Sequence, residues 1–269
     1  MKLMRYPTRN SRVVFVWGRW LGLAFLAVLF SACATESEKR QENVLLAKSK
    51  YAEAIGFSSS NNSRPQMYVS LREAVRLDPL EPNYHWALGM AYFGDGDLDN
   101  AALELEQTVR LNENFAEAYK QLGRLYMRNG NLDKALYYFK EGLKKPGITL
   151  PQEIHNWIAL CYYGQGRLRD AENAWLEALR IKDSEGVLLN LALAYRDAGQ
   201  YDKALKALNK AVAINPRFPP AHYQLALLYL KNKNLELAGR HFDQTIQLDP
   251  DSEAARSSRQ YLELIKQAK

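Results

Sequence analysis

One motif recurs along this chain at intervals close to 34 residues. It consists of an aliphatic residue, a small residue directly after it and a tyrosine three positions further on. Its copies begin at Leu88, Leu122, Ile158, Leu191 and Leu225, with spacings of 34, 36, 33 and 34 residues. A fixed period in this range is typical of stacked helical pairs, each of which buries its apolar face only against its neighbours. The period therefore predicts a helical array for most of the chain.

The second half of each period follows the same rule. Twelve residues after each small residue stands an alanine, and four residues later a large apolar side chain. The alanines are Ala101, Ala135, Ala171, Ala204 and Ala238, and the large residues are Leu105, Phe139, Trp175, Leu208 and Phe242. Small residues let two antiparallel helices approach closely, and the larger ones fill the space beside them. Gly96, Gly130, Gly166 and Gly199 fall at the turns between paired helices, where a left-handed conformation costs glycine little.

This pattern resembles the tetratricopeptide repeat, with five clear copies over residues 82–250. A sixth, degenerate copy is expected before them, so that residues 43–250 hold six repeats, and residues 251–269 form a C-terminal capping helix. The predicted fold class is all-α: a right-handed superhelical solenoid of tetratricopeptide helix-turn-helix repeats with a capping helix.

The N-terminus has the layout of an export signal. A basic stretch precedes the apolar run Leu21–Phe30, which is too short to cross a bilayer as a permanent helix. Residues 29–33 resemble the bacterial lipobox, with Phe30 where that pattern usually has leucine. The resemblance implies a signal peptide over residues 1–32 and a lipidated Cys33, followed by a tether to residue 42 that spans about 30 Å if extended. A plain cleavable signal with an incidental cysteine is the alternative.

The charge distribution disfavours nucleic acid as a partner. The net charge is +6, but residues 1–32 hold five basic residues and no acidic one. The remainder, with 31 basic and 30 acidic residues, is close to neutral. Nucleic-acid binding needs a basic surface that displaces counterions, and this body has none on average.

No pattern for catalysis or metal binding stands out. Three of the four histidines, His85, His155 and His222, occupy one slot of their repeats and are predicted to pack rather than to share a metal ion. The acidic run from Asp95 to Glu106 imitates a calcium loop but has Asn100 where that loop requires glycine. Cys161 is predicted to be a buried small hydrophobe. We expect no enzyme activity, no metal, no cofactor and no small-molecule substrate.

The tetratricopeptide resemblance implies a concave groove lined by the first helix of each repeat. We refer to the predicted lining residues as the groove set. They are Trp86, Met90, Phe93, Lys120, Arg124, Met127, Arg128, Asn156, Leu160, Tyr163, Leu189, Leu193, Arg196, Tyr223, Leu227 and Leu230. The set is largely apolar and aromatic, with a basic spot in the third repeat. It suits an amphipathic helix of a protein partner, unless burial within the array covers it.

A lipobox followed at once by six such repeats resembles the type IV pilus secretin pilotin family, tetratricopeptide outer-membrane lipoproteins. The insertion at residues 146–153 and the run from Asn156 to Cys161 add to the resemblance. It implies a periplasm-facing protein, anchored by acyl chains on Cys33, that binds secretin subunits and promotes their assembly. Ala34 after the cysteine resembles the pattern for sorting to the outer membrane. The alternative is a periplasmic lipoprotein scaffold that recruits cell-wall enzymes, or an outer-membrane assembly factor.

Overall fold

The computed structural model describes residues 36–57 and 63–267, and the regular structure within these ranges is helical throughout. Residues 36–57 form α1. The other helices are α2 (Arg64–Leu77), α3 (Pro82–Asp95), α4 (Leu98–Leu111), α5 (Ala116–Arg128), α6 (Leu132–Leu143), α7 (Pro151–Gly164), α8 (Leu168–Ile181), α9 (Glu185–Asp197), α10 (Tyr201–Ile214), α11 (Pro219–Lys231), α12 (Leu235–Leu248) and α13 (Glu253–Gln267). The predicted all-α fold class of helix-turn-helix repeats is confirmed.

Each periodic tyrosine lies two or three residues before the end of its helix, and its backbone carbonyl accepts the hydrogen bond that closes the turn. The donors are the backbone N–H groups of Asp97, Asn131, Arg167, Gln200 and Asn234, five residues after the tyrosine in every copy, at 2.8–3.0 Å. This bond defines a Schellman ending, which needs a left-handed residue just before the donor. Four copies place glycine there, as at Gly166 (φ 73°), and the fifth has Lys233 at φ 57°.

The periodic small and large residues form the core. All five periodic alanines are fully buried, and the five large residues after them are at most 1% exposed. Asp97, Asn131 and Asn234 cap the second helix of their pairs through side-chain oxygens. Close helix packing and capped ends follow directly from the repeat pattern.

The described residues divide into two units, one up to Ala91 and one from Tyr92 onward. In the first unit, Ala47 of α1, Ala74 of α2 and Tyr84 of α3 form a buried cluster. The Tyr51 and Tyr84 rings are 5.1 Å apart. His85 is buried with Nε2 3.0 Å from the Pro79 carbonyl. The region before residue 82, where the degenerate repeat was predicted, thus contains two helices, α1 and α2, that pack against each other.

In the second unit, each helix from α4 to α13 packs against the next one in the chain. Some contacts skip a helix, as between α5 and α7 and between α11 and α13. His222 repeats the arrangement of His85, with Nε2 3.0 Å from the Pro216 carbonyl. This nearest-neighbour packing is what a repeat array requires.

The structure describes only part of the N-terminal region for which a signal peptide, a lipidated cysteine and a tether were predicted. The predicted signal peptide, Cys33 and Ala34 lie outside the described residues. Residues 36–42, expected as part of an extended tether, belong to α1. A helical residue advances the chain by about 1.5 Å rather than 3.3 Å, so this segment spans less than an extended tether would. Among the described helices, none is long and apolar enough to cross a membrane.

Candidate functional site

The groove set lies on the first helices of the pairs, α3, α5, α7, α9 and α11. Trp86 and Met90 belong to the first unit, and the other members belong to the second. In the second unit the side chains of successive first helices touch. Arg124 of α5 lies over Trp157 of α7, and Asn190 of α9 bonds to Asn156 of α7. Together with the bond from Arg196 of α9 to Gln224 of α11, these contacts join the first helices α5, α7, α9 and α11 into one continuous surface, which we call the groove.

Exposure along the groove is intermediate. The apolar members in the second unit, from Phe93 to Leu230, are all half-buried. A partner would meet each apolar side chain over only part of its surface. Binding would therefore need several of these residues together rather than one open pocket.

Lys120 was predicted to belong to an open basic spot, and this is wrong. Its side chain is buried, with Nζ 2.6 Å from Glu117 Oε1 and donating to Thr149 Oγ1 at 2.9 Å. Thr149 lies in the insertion before α7 and also donates to Glu117. Partial burial acts to raise the pKa of Glu117, but hydrogen bonds from Lys120 and Gln121 and the Lys120 charge outweigh it and lower that pKa. The insertion and this ion pair remove Lys120 from the groove.

Arg124 and Arg128 carry what remains of the basic spot. The Arg124 guanidinium lies 5.6 Å from the Phe93 ring centre and 5.4 Å from that of Trp157, and it donates to Gln121 Oε1 at 2.8 Å. Stacking on two aromatic faces stabilises the cation in a half-buried place. Arg128 is exposed at the end of α5. The groove thus contains one arginine that packs against two aromatic rings, Arg124, and one exposed arginine, Arg128.

A row of amides crosses the groove further along. Asn156 Oδ1 accepts from Trp175 Nε1 at 2.9 Å and from Asn190 Nδ2 at 3.2 Å. Gln224 of α11 accepts from Arg196 at 2.8 Å. Asn156, Leu189 and Asn190 help line a cavity of about 410 Å³ beside the start of α9. Such amides can bind the main chain of a partner, since each holds both a donor and an acceptor.

Arg196 and Tyr163 are joined through Asp197. The Asp197 carboxylate accepts from the Tyr163 hydroxyl and, at 2.8 Å, from Arg196 Nη2. The Tyr163 hydrogen bond and the Arg196 charge lower the pKa of Asp197, and the same hydrogen bond raises that of Tyr163. Arg196 is therefore paired, and it contributes less positive charge to the groove than its sequence position predicts.

The C-terminal end of the groove is partly closed by α13. Tyr223, Leu227 and Leu230 pack against a cluster that contains Phe242 and Ile265, the latter from α13. The Tyr261 ring of α13 stacks on Phe242 at 5.1 Å. These three groove residues are therefore partly covered by the capping helix. Burial within the array was the alternative to partner binding in the sequence analysis, and it applies at this end of the groove.

Sequence reasoning missed Trp157, Asn190 and Gln224. Asn190 and Gln224 each precede the aliphatic residue of their repeat by one position, 34 residues apart. A polar amide recurring at one slot of a largely apolar helix was a signal that could have identified them. Trp157 could not be found in this way, because its role depends on the positions of Arg124 and Phe139.

The residues singled out for other chemistry have structural partners. Cys161 is fully buried, and burial raises the pKa of its thiol to about 11, which confirms its prediction as a buried hydrophobe. Glu106 accepts hydrogen bonds from Tyr126 at 2.6 Å and Tyr138 at 3.0 Å. Asp97 caps α4. Within the described residues, no group of three or more His, Cys, Asp or Glu is placed to hold a metal ion.

Family models of the tetratricopeptide repeat match residues 70–115, 93–151, 120–186 and 219–252, and a further repeat model matches 192–233. An uncharacterized protein of Haemophilus influenzae is 26% identical over 166 residues, which covers 61% of this chain and 91% of the relative. The human antiviral effector IFIT1 is 24% identical over 200 residues, and this chain spans only 37% of it.

Two solved structures share the fold. One is PilF of Pseudomonas aeruginosa, with a TM-score of 0.63 and 15% identity, covering 82% of this chain and 99% of PilF. The other is PilW, described as a widely conserved type IV pilus biogenesis factor, with a TM-score of 0.64 and 19% identity, covering 78% of this chain and 97% of PilW. With repeat models matching more than half of its residues, the chain belongs to the tetratricopeptide repeat family, whose helical pairs are scaffolds for binding other proteins.

Proposed function

We propose that this protein is a lipid-anchored pilotin, which binds secretin subunits and promotes their outer-membrane localisation and assembly for type IV pilus biogenesis. The observation that carries the proposal is the fold match to PilF and PilW along almost their entire length. PilW is described as a type IV pilus biogenesis factor. Tetratricopeptide repeats are scaffolds for protein binding, so we propose binding rather than catalysis.

The chemistry of the groove supports a partner segment with apolar side chains. Phe93, Leu160 and Leu193 are each half-buried and can lose their remaining exposed surface to a partner. Asn156 and Asn190 add polar contacts beside them. In this proposal the groove shields an apolar stretch of an unassembled subunit, and the shielding prevents that stretch from aggregating before it reaches the membrane.

The membrane part of the proposal rests on Cys33. Two acyl chains on the new N-terminal cysteine give stable anchoring where a single chain would be marginal. Ala34 supports sorting to the outer membrane rather than retention at the inner one. The anchor confines the protein to the surface where the pore assembles, and the groove supplies the binding.

The test is a deletion strain in which secretin multimers are counted in outer-membrane fractions. We expect multimers to be lost on deletion, restored by the wild-type gene, and not restored by a Cys33→Ala variant. Unchanged multimers in the deletion strain would refute the pilotin function and leave the cell-wall scaffold as the alternative.

A pair of leucine variants tests the groove separately. Leu160→Asp places a charge in the groove, and Leu103→Asp places the same charge on α4, where Leu103 is 65% exposed. We expect only the first to reduce multimers while both proteins remain helical with similar melting temperatures. Equal activity of the two folded variants would contradict binding through the groove.

A further inference from the structure

A second surface lies away from the groove, on α8, α9 and α10. We call it the basic cleft. It is a shallow depression of about 450 Å³ that is open to solvent, and it is lined by Leu176, Leu179, Arg180, Leu188, Leu191, Tyr195, Lys203, Lys206, Ala207 and Lys210. Its walls are α8 and α10, the second helices of their pairs, whereas the groove is lined by first helices. None of the groove set lines it.

The floor of the basic cleft is apolar. Leu188 and Leu191 are buried at its base, and Leu176 stands at its edge with 47% of its surface exposed. The neighbouring Trp175 already fills the core position of α8 and is 1% exposed. Leu176 is thus not needed by the core, and a large apolar side chain at the mouth of a cleft can gain free energy by being covered.

Cations line the rim of the basic cleft. Four of the ten lining residues are cationic and none is acidic. Arg180 and Lys210 pair with Glu177 at 2.9 Å and Asp183 at 2.5 Å, both of which lie outside the lining. These pairs are about half exposed or more, and such pairs contribute little and exchange easily. Lys203 Nζ lies 3.5 Å from Glu172, which is also outside the lining. Among the described residues, only Lys206 of the four lining cations has no ion-pair partner.

The spacing of the cations matches a helix. Lys203, Lys206 and Lys210 stand at i, i+3 and i+7 on α10 and so share one face over two turns, about 10 Å. A ligand with carboxylates at similar intervals would meet each of them. The apolar floor lies beside this row, so the same ligand needs apolar side chains along the adjacent stripe.

From these features we propose that the basic cleft docks an acidic amphipathic helix of a partner protein, independently of the groove. The helix inserts leucine-like side chains between α8 and α10, next to Leu176, and sets its carboxylates against Lys203, Lys206 and Lys210. A flat anionic membrane fits less well, because Leu188 and Leu191 at the floor are almost fully covered by the protein and Leu176 is the exposed leucine of the lining.

The test uses the full-length protein and a fluorescent 18-residue peptide with leucine at i, i+3, i+4 and i+7, flanking glutamates and alanine elsewhere. We compare Lys206→Glu with Arg169→Glu, an exposed residue of α8 outside the cleft. Both variants reverse one exposed charge, so both should fold. We expect anisotropy titrations to show binding by the wild type and by Arg169→Glu, and about tenfold weaker binding by Lys206→Glu.

Several results would overturn the proposal. They are absence of peptide binding, equal binding by the two variants, and equal binding of a peptide with lysines in place of the glutamates. Cosedimentation of the wild type, but not Lys206→Glu, with vesicles containing phosphatidylglycerol, in the absence of peptide binding, would assign the cleft to a membrane. Self-association lost in Lys206→Glu, again without peptide binding, would assign it to a second copy of the chain.

Discussion

Replacing Gly123 with alanine tests the close approach of α5 and α6. A Cβ on Gly123 would lie 2.5 Å from Phe139 Cε1, closer still to Cδ1, and 2.8 Å from Cγ. Carbon atoms in contact prefer separations of about 3.5–4.0 Å, so the ring must move by roughly 1 Å. Phe139 is fully buried and stacks on Trp157 at 5.5 Å. It therefore cannot move without displacing Trp157, which holds Arg124 in the groove.

The expected magnitude follows from two opposed effects. Overpacking of this severity costs about 3 kcal/mol, and alanine in a helix interior recovers about 1 kcal/mol relative to glycine. The free energy of unfolding should fall by about 2 kcal/mol. Urea titration followed by circular dichroism measures this as a lower midpoint, with the slope compared between variants to check that the unfolding transition is unchanged.

A matched substitution in the same array has the opposite sign. Gly239 lies inside α12, and a Cβ there would meet only Leu262 Cδ2, at an ordinary 3.7 Å. Gly239→Ala should therefore stabilise the protein by up to about 1 kcal/mol through helix propensity alone. If Gly123→Ala proved as stable as Gly239→Ala, the steric account of the repeat glycine would be refuted. A Phe139→Leu background should also reduce the cost of Gly123→Ala.

Three further predictions concern other positions. Lys233→Gly should raise the free energy of unfolding by about 1 kcal/mol, because lysine is strained at φ 57°; a lower urea midpoint would contradict this. Burial and the neighbouring His222 lower the pKa of His241 from 6.5 to about 4. As the pH falls, this histidine therefore takes up a proton in the unfolded chain at a higher pH than in the folded protein. The free energy of unfolding should fall between pH 6.5 and 4 by up to about 2 kcal/mol. This is less than the whole pKa shift corresponds to, because the ring is partly exposed. This loss should shrink in a His241→Gln variant, and an unchanged pH profile of urea midpoints would exclude the explanation. Cys161 should resist alkylation by iodoacetamide at pH 8 in the folded protein and react after denaturation, since its thiol is buried with a pKa of about 11; rapid native labelling, detected by mass, would disprove the burial.

The local features of the fold were accessible from the sequence. The alanines at the helix contacts and the glycines at four turns occupy the positions that the period predicts. The fifth turn was not identified from glycine, because Lys233 adopts the left-handed conformation there. The surrounding Schellman hydrogen bonds, such as Asn234 N–H to the Tyr229 carbonyl at 2.9 Å, hold it in place.

The candidate site was only partly predictable. Helical spacing places Arg124 and Leu160 on first helices, but it does not say which neighbour covers them. Lys120 is buried because the insertion brings Thr149 onto α5, 29 residues away. Arg196 is neutralised by Asp197, the residue directly after it, in a network that also needs Tyr163 from the preceding first helix.

By itself, the sequence determined the helices, their pairing and the core. In a repeat array each pair contacts mainly its neighbours, so a periodic pattern of small and large residues contains almost all the information the packing needs. Only the tertiary structure decided what a partner can reach. Accessibility depends on contacts between pairs, on the insertion before α7 and on the docking of α13 near Tyr223. The basic cleft arises in the same way, because its residues come from three helices whose separation no local pattern specifies.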